Sequence, residues 1–319
     1  MPAPEMMHAI RVHAYGNSEK MHYENVLMPK IEADEVLIKV SATAFNPLDH
    51  LIRMGVVQET FPHKLPYIPN VEVSGTITEI GKGVKNLKVG EPVFALLNIL
   101  SNGAAAEYVA TKAEYVAVAP KKIKLPEVAA MPVGALTAWQ ALFDHGQLES
   151  GQRVLIAGAA GGVGTLAVQL AKWKGAHVIG TASEASFPML KEIGIDELID
   201  YNQEMVEERI EDKLDLIFNL SPEGSNEVSN WLHLLREGGT LVSITSPADG
   251  KVAKELNVNV VHMNVQQSGE QLAHIAKLVD EGVLKPVIAE KVKLKDLAEL
   301  HHRAEVGTVR GKVLITVGE

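Results

Sequence analysis

The sequence predicts an α/β chain in which a doubly wound parallel sheet is joined to a second domain built mainly of β-strands. Three observations lead there. Strands alternate with amphipathic helices after Ala130, a glycine cluster sits between one such strand and its helix, and the residues before Ala130 have a proline-rich, irregular β texture. At 319 residues, 46% apolar and 22% charged, the chain is long enough for two compact cores.

Residues 36–43 (VLIKVSAT) are β-rich, and residues 71–80 (VEVSGTITEI) alternate apolar and polar side chains before the turn Gly81-Lys82-Gly83. Between them Pro47, Gly55, Pro62, Pro66 and Pro69 exclude long helices and suit loops over a barrel-like sheet. Short strands are expected at 92–97 and 106–120. The texture then changes. Residues 153–158 (RVLIAG) form a strand, and Val163, Leu166, Ala167 and Leu170 recur at i, i+3, i+4 and i+7 on the following helix, which Gly175 stops. Strands at 176–182, 214–220 and 240–244 repeat the pattern with helical segments between. Leu272, Ile275, Ala276 and Val279 mark a further helix face. The last strand, 312–317, follows a polar loop, and pattern alone assigns it to neither domain.

Composition removes several function classes. Forty acidic against 30 basic residues give a formal charge of −10, which repels phosphate backbones and anionic membranes, so nucleic acid is not an expected partner. No basic start leads into an apolar block and no apolar run reaches about 18 residues, so neither secretion nor membrane spanning is expected, and the location expected is the cytoplasm. The chain has no cysteine. That removes disulfides, thiolate nucleophiles, iron–sulfur clusters and cysteine-ligated zinc, leaving a cofactor or O/N side chains to carry any catalysis.

The glycine cluster is the most informative stretch. Gly158-Ala159-Ala160-Gly161-Gly162-Val163-Gly164 follows a strand and opens a helix, the setting of the Rossmann-type dinucleotide fingerprint. Glycines there let the backbone turn tightly and approach a pyrophosphate, while the helix N-terminus offers free N–H groups and partial positive charge. The three key positions are Ala159, Gly161 and Gly164, so the first glycine is an alanine. About 20 residues further on, where an acidic residue would grip a ribose hydroxyl, stand Thr181 and Ser183. Small hydroxyl side chains leave room for a 2′-phosphate, so NADPH is the expected cofactor. Tyr201 is either a phenolic donor to that phosphate or a half-buried packing tyrosine, and Ser243, near the end of the strand 240–244, is a further cofactor-site candidate.

Taken together, these segments resemble the medium-chain dehydrogenase/reductase superfamily, in its zinc-free quinone oxidoreductase and enone reductase branch. The resemblance spans nearly the whole chain. It rests on Asn46-Pro47-Leu48-Asp49 with Arg53-Met54-Gly55, on residues 66–75 (PYIPNVEVSG), on Gly134-Ala135-Leu136-Thr137-Ala138, on the glycine loop and on Gly311-Lys312-Val313. It implies a GroES-like β domain of residues 1–125 and 283–319, a nucleotide domain of residues 126–282, a hydride-transfer cleft between them and a homodimer. Zinc-dependent members need a cysteine where this chain has Ala44-Phe45-Asn46 and a histidine where it has Val71, so no metal ligands are expected. Asn70 replaces a glycine of the family loop and, as asparagine, suits a positive φ. Leu51 stands where many quinone reductases have a tyrosine, and Phe187 where a lysine commonly grips the 2′-phosphate.

The implied activity is NADPH-dependent hydride transfer to quinones or α,β-unsaturated carbonyls, whose conjugated oxygen accepts the charge without Lewis-acid help. Asn46 is the candidate donor to that oxygen, the alternative being a turn residue before Pro47. Thr137 is expected either at the nicotinamide side or as a helix cap. Gly161, Gly162, Val163 and Gly164 complete the cofactor set, and Glu72 with Arg53 is expected to form a charge pair in the β domain. Two other functions stay open: an enoyl-thioester reductase, and a nicotinamide-binding, redox-responsive protein with little turnover.

Overall fold

A computed structural model describes residues 5–318, and their contacts divide into two units. One holds the residues up to 133 with 267–282 and those from 286 onward; the other holds 134–266 and 283–285. The sequence expectation ends the nucleotide domain at 282, whereas the segments 126–133 and 267–282 make their contacts with the β unit. The helix Gly269–Glu281, capped by the Ser268 side chain and ended by Gly282 at φ 84°, carries the predicted face of Leu272, Ile275, Ala276 and Val279. It starts hard against the chain before Val116–Val118, since a Cβ on Gly269 would lie 2.7 Å from the carbonyl oxygens of both Glu114 and Val116.

The second unit is the doubly wound sheet. Its six strands are Arg153–Ala157, His177–Ala182, Glu197–Asp200, Leu214–Asn219, Leu235–Ser243 and Asn259–His262, all parallel. Their spatial order is third, second, first, fourth, fifth, sixth. The order reverses between the first and fourth strands, where Val154 pairs with Leu216. A dinucleotide site in this topology lies beyond the carboxyl ends at that reversal. The strands Glu197–Asp200 and Asn259–His262 escape sequence reading because they are four-residue edges, half-buried at best over most positions, with no continuous apolar run.

In the other unit the sheet order is Ile288–Lys293, Lys312–Thr316, Glu35–Phe45, Glu72–Ile80, Pro92–Leu96 and Val116–Val118, with Tyr108–Lys112 pairing on the first half of Glu35–Phe45. The stretch read as one strand, 106–120, is thus two, broken by a turn at Ala113–Tyr115. A separate antiparallel pair, Met6–Val12 with Met21–Leu27, was not expected; the second of these buries only Met21 and shows no clean alternation. The C-terminal strand belongs here, because Val313 pairs antiparallel with Phe45. Prolines did not exclude a short helix: Pro47–Met54 starts with proline at its first position, where the N–H is not needed, and ends at Gly55 with φ 81°. Asn70 adopts φ 71°, as the asparagine-for-glycine exchange requires.

The alanine at the first fingerprint position has a structural complement. A Cβ on Gly180 would lie 2.7 Å from the Ala159 methyl and 2.4 Å from Ile195 Cδ1, so the glycine in the second strand makes the room that Ala159 fills. Gly180→Ala should therefore cost about 1–3 kcal/mol by overpacking, and Ala159→Gly in that background should recover part of the loss. Urea unfolding of the two single variants and the double variant measures the coupling; strictly additive effects would show that the two positions do not share that space.

Candidate active site

The nucleotide-side loop is built from two strand ends. Thr181, in the last turn of its strand and 4% exposed, accepts the Gly158 N–H on Oγ1 at 3.0 Å, while its carbonyl accepts the Ala159 N–H at 3.0 Å. Thr181 thus holds the loop in place. Gly158 turns the chain at φ 88°. A Cβ on Gly164 would sit 2.4 Å from the Gly158 oxygen, so this glycine is required by the loop's own packing. Gly161 differs. A Cβ there would meet only the Gly158 oxygen at 3.4 Å, an ordinary contact, and the residue is exposed. Its bareness is not used by the protein and suits close approach of a ligand backbone. Gly162 and Val163 are half-buried just before the helix Gly164–Lys174, whose first N–H groups have no partner within the helix. These features fit a pyrophosphate.

Ser183 is half-buried directly after its strand, and Phe187 begins the helix Phe187–Glu192 a turn later. Tyr201 is 57% exposed, so the half-buried packing alternative fails. Thr137 is buried at the sixth position of the helix Pro132–Trp139, so it does not stand at that helix's N-terminus as a cap. Ser243 is fully buried and belongs to a network that sequence reading missed: Asn219 donates to Ser243 Oγ at 3.1 Å and to Thr245 Oγ1 at 2.9 Å, and accepts from Ser221 Oγ at 2.6 Å. Asn219 and Ser243 pair across the carboxyl ends of the fourth and fifth strands. A lone asparagine closing an apolar strand, LDLIFN, was the signal available.

Three strand ends meet around Asn46 in the β unit. The pairing of Val313 with Phe45 brings Lys312 opposite Asn46, and Glu72 opens the neighbouring strand. Lys312 donates to Asn46 Oδ1 at 2.8 Å and to Glu72 Oε1; Asn46 Nδ2 donates to the same Glu72 oxygen at 2.8 Å. The Val133 N–H donates to Glu72 Oε2 at 2.9 Å. An ammonium can only donate, so Asn46 must turn its oxygen to Lys312 and its nitrogen to Glu72. One Nδ2 hydrogen is used there, and the second has no acceptor among the described residues. Glu72 is 0% and Lys312 5% exposed.

The expected pair of Glu72 with Arg53 is overturned. Arg53, fully buried, bridges instead to Glu305 at 2.7 Å and donates to the Gly16 carbonyl and His301 Nδ1. Sequence offers charges of both signs but not the fold that sorts them. Burial first, and then the Arg53 charge, holds His301 down at about 3, so it is neutral. Asp49, also buried, reciprocates with Asn46 through the backbone and is pushed up to about 7, mainly by desolvation. Leu51 is partly exposed on the same helix.

A doubly wound sheet whose first strand runs through this glycine loop into a helix is the architecture of a dinucleotide-binding domain. Comparison with known proteins narrows the class. The alcohol dehydrogenase GroES-like domain model matches residues 32–121, and the zinc-binding dehydrogenase model matches 193–315. The chloroplast envelope quinone oxidoreductase homolog of Arabidopsis thaliana is 30% identical over 98% of this chain and 99% of its own length. The 2-methylene-furan-3-one reductase of Solanum lycopersicum is 34% identical, over 98% and 79%. The solved quinone oxidoreductase of Coxiella burnetii superposes with a TM-score of 0.89 at 29% identity, covering 98% of this chain and all of the other. The chain belongs to the medium-chain dehydrogenase/reductase superfamily, in its quinone oxidoreductase branch, and is an NAD(P)H-dependent oxidoreductase acting on small molecules. No helix among the described residues is long and apolar enough to cross a membrane.

The second family description names zinc, and the residues present do not fit that ion. Both Glu72 oxygens already accept N–H groups, one of them from an ammonium, and Val71 carries no donor atom. Removing one partner of a buried pair leaves an unpaired charge and costs about 3–5 kcal/mol. Lys312→Met should destabilise by that order, and Glu72→Gln with Lys312→Met together should cost less than the sum of the single changes. A double-mutant cycle by chemical denaturation measures this; simple additivity would contradict the pairing.

Proposed function

We propose that this chain is an NADPH-preferring reductase that delivers hydride to quinones or α,β-unsaturated carbonyls without a metal ion. The observation that carries the reading is the Asn46–Glu72–Lys312 cluster, which holds a buried amide in one orientation with an N–H to spare. The reduced nicotinamide supplies the hydride. On a conjugated acceptor the resulting charge spreads onto an oxygen, and the free Nδ2–H of Asn46 is the donor assigned to it. Lys312 balances Glu72, so the carboxylate does not repel that developing charge, and it prevents the amide from turning its oxygen outward. Solvent provides the proton that completes the product.

On the cofactor side, Gly161, Gly162, Val163 and Gly164 hold the pyrophosphate, Thr181 positions that loop, and Thr137 and Ser243 line the remaining cofactor site. Ser183 and the exposed Tyr201 favour the 2′-phosphate, since neither carries a charge that would repel it. The relatives named for quinone and for 2-methylene-furan-3-one substrates support conjugated acceptors as the class.

Turnover of a panel of quinones and enones with NADPH and with NADH tests the reading. NADPH should give the lower KM. Asn46→Ala should lower kcat about 10-fold, less than the roughly 10²-fold loss of a well-placed oxyanion donor because conjugation already spreads the charge, with nucleotide affinity unchanged. Equal use of both cofactors would overturn the NADPH preference. A variant with wild-type kcat would return Asn46 to a turn residue.

A further inference from the structure

Asp49 is a buried carboxylate with no cation of its own. It is 3% exposed, and its Oδ2 accepts from the Asn46 N–H at 2.9 Å and from Asn70 Nδ2 at 3.4 Å. The charged and titratable groups around it are all committed. Glu72 and Lys312 cancel each other, Arg53 on the same helix is bridged to Glu305, and His301 is neutral. The His50 pKa is lowered by desolvation and by Arg53, while Tyr67 and His63, from the loop that follows the helix, are each pushed toward the neutral form by burial. An ionised Asp49 would therefore add an uncompensated charge inside the protein, which favours the acid.

The acid has its hydrogen on Oδ1, because Oδ2 faces two donors. It needs an acceptor. Asn70 Oδ1, Tyr67 Oη and His63 Nε2 are buried atoms without a partner, and their residues line one cavity together with Asp49. Tyr67 is 3% and Asn70 1% exposed. The space for a water-sized sphere is about 10 Å³, close to the lower limit for one water, which needs about 10–15 Å³ and two to four polar partners. We infer that this cavity binds a single internal water molecule which, with Asp49 as the neutral acid, forms a proton-storing site in the β unit. Asp49 donates to the water, and the water bonds the orphaned atoms of Asn70, Tyr67 and His63. On deprotonation the proton leaves to bulk solvent and the water turns a hydrogen toward the carboxylate. The inference stands whether or not Asn46 contacts substrate.

The folded-state value of about 7 lies above the unfolded carboxylate range. The sign follows: the contribution of Asp49 to stability is complete below the unfolded value and is lost as pH rises through about 7. Neutron and X-ray diffraction from wild-type crystals grown at about pH 5.5 and about pH 8.5, on either side of that value, test the site directly. A hydrogen on Asp49 Oδ1 at the lower pH, its loss at the higher, and one ordered water within hydrogen-bond distance of Asp49 and Asn70 are expected. In parallel, Asp49→Asn should gain in unfolding midpoint relative to wild type as pH rises across the same interval. A carboxylate already ionised at the lower pH overturns the proton store, a dry cavity overturns the water, and a pH-independent stability difference overturns the linkage. The wild-type diffraction decides the matter even if the variant does not fold.

Discussion

The ammonium of Lys312, buried at the start of the last strand, is the constraint on which the β-unit site depends. Three strand ends bring an amide, a carboxylate and an ammonium together in a place almost without solvent. Removing any one leaves the others with an unpaired charge or an unfilled hydrogen bond. A buried ion pair is weak evidence for stability when compared with an apolar replacement. Its consequence here is directional, because a donor-only cation on one side and an acceptor-only carboxylate on the other leave Asn46 a single amide orientation. Burial is what chiefly raises the affinity of the neighbouring Asp49 for a proton, since the Glu72 and Lys312 charges act on it in opposite directions.

On the nucleotide side the governing constraint is the absence of side chains. Gly158 takes a backbone conformation closed to most residues, and Gly164 approaches its own loop too closely for a methyl group. Gly161 is bare for another reason, since the protein leaves that space open. Thr181 joins this loop to the neighbouring strand through both its hydroxyl and its carbonyl. Its hydroxyl therefore serves the loop, and in the NADPH preference we propose the 2′-phosphate falls to Ser183 and Tyr201.

What the sequence made legible was local or periodic. Alternating strands and helices, the glycine loop and the helix face of Leu272 to Val279 all depend on neighbours within a few residues, and each is present. The GroES-like and Rossmann-type architecture followed from motifs spread along the chain. Long-range partners were not readable. Asn46 and Lys312 are 266 positions apart, and only the pairing of the C-terminal strand with Glu35–Phe45 shows that they meet. For the same reason Arg53 could not be matched to Glu305 rather than Glu72. Short edge strands and the buried Asn219 network were missed because four residues carry no period and one asparagine carries no partner.

In the proposed reaction the Asn46 amide, held in one orientation by a Glu72–Lys312 pair whose charges cancel, is the donor that lets a conjugated acceptor take hydride without a metal ion. This metal independence rests on the filled Glu72 carboxylate and on a chain without cysteine. Turnover of NADPH with a quinone, measured on protein exhaustively treated with a strong chelator and checked for residual metal by elemental analysis, tests it most directly. Undiminished turnover at negligible zinc content is the predicted result. Loss of most activity on chelation, restored by adding zinc, would contradict it.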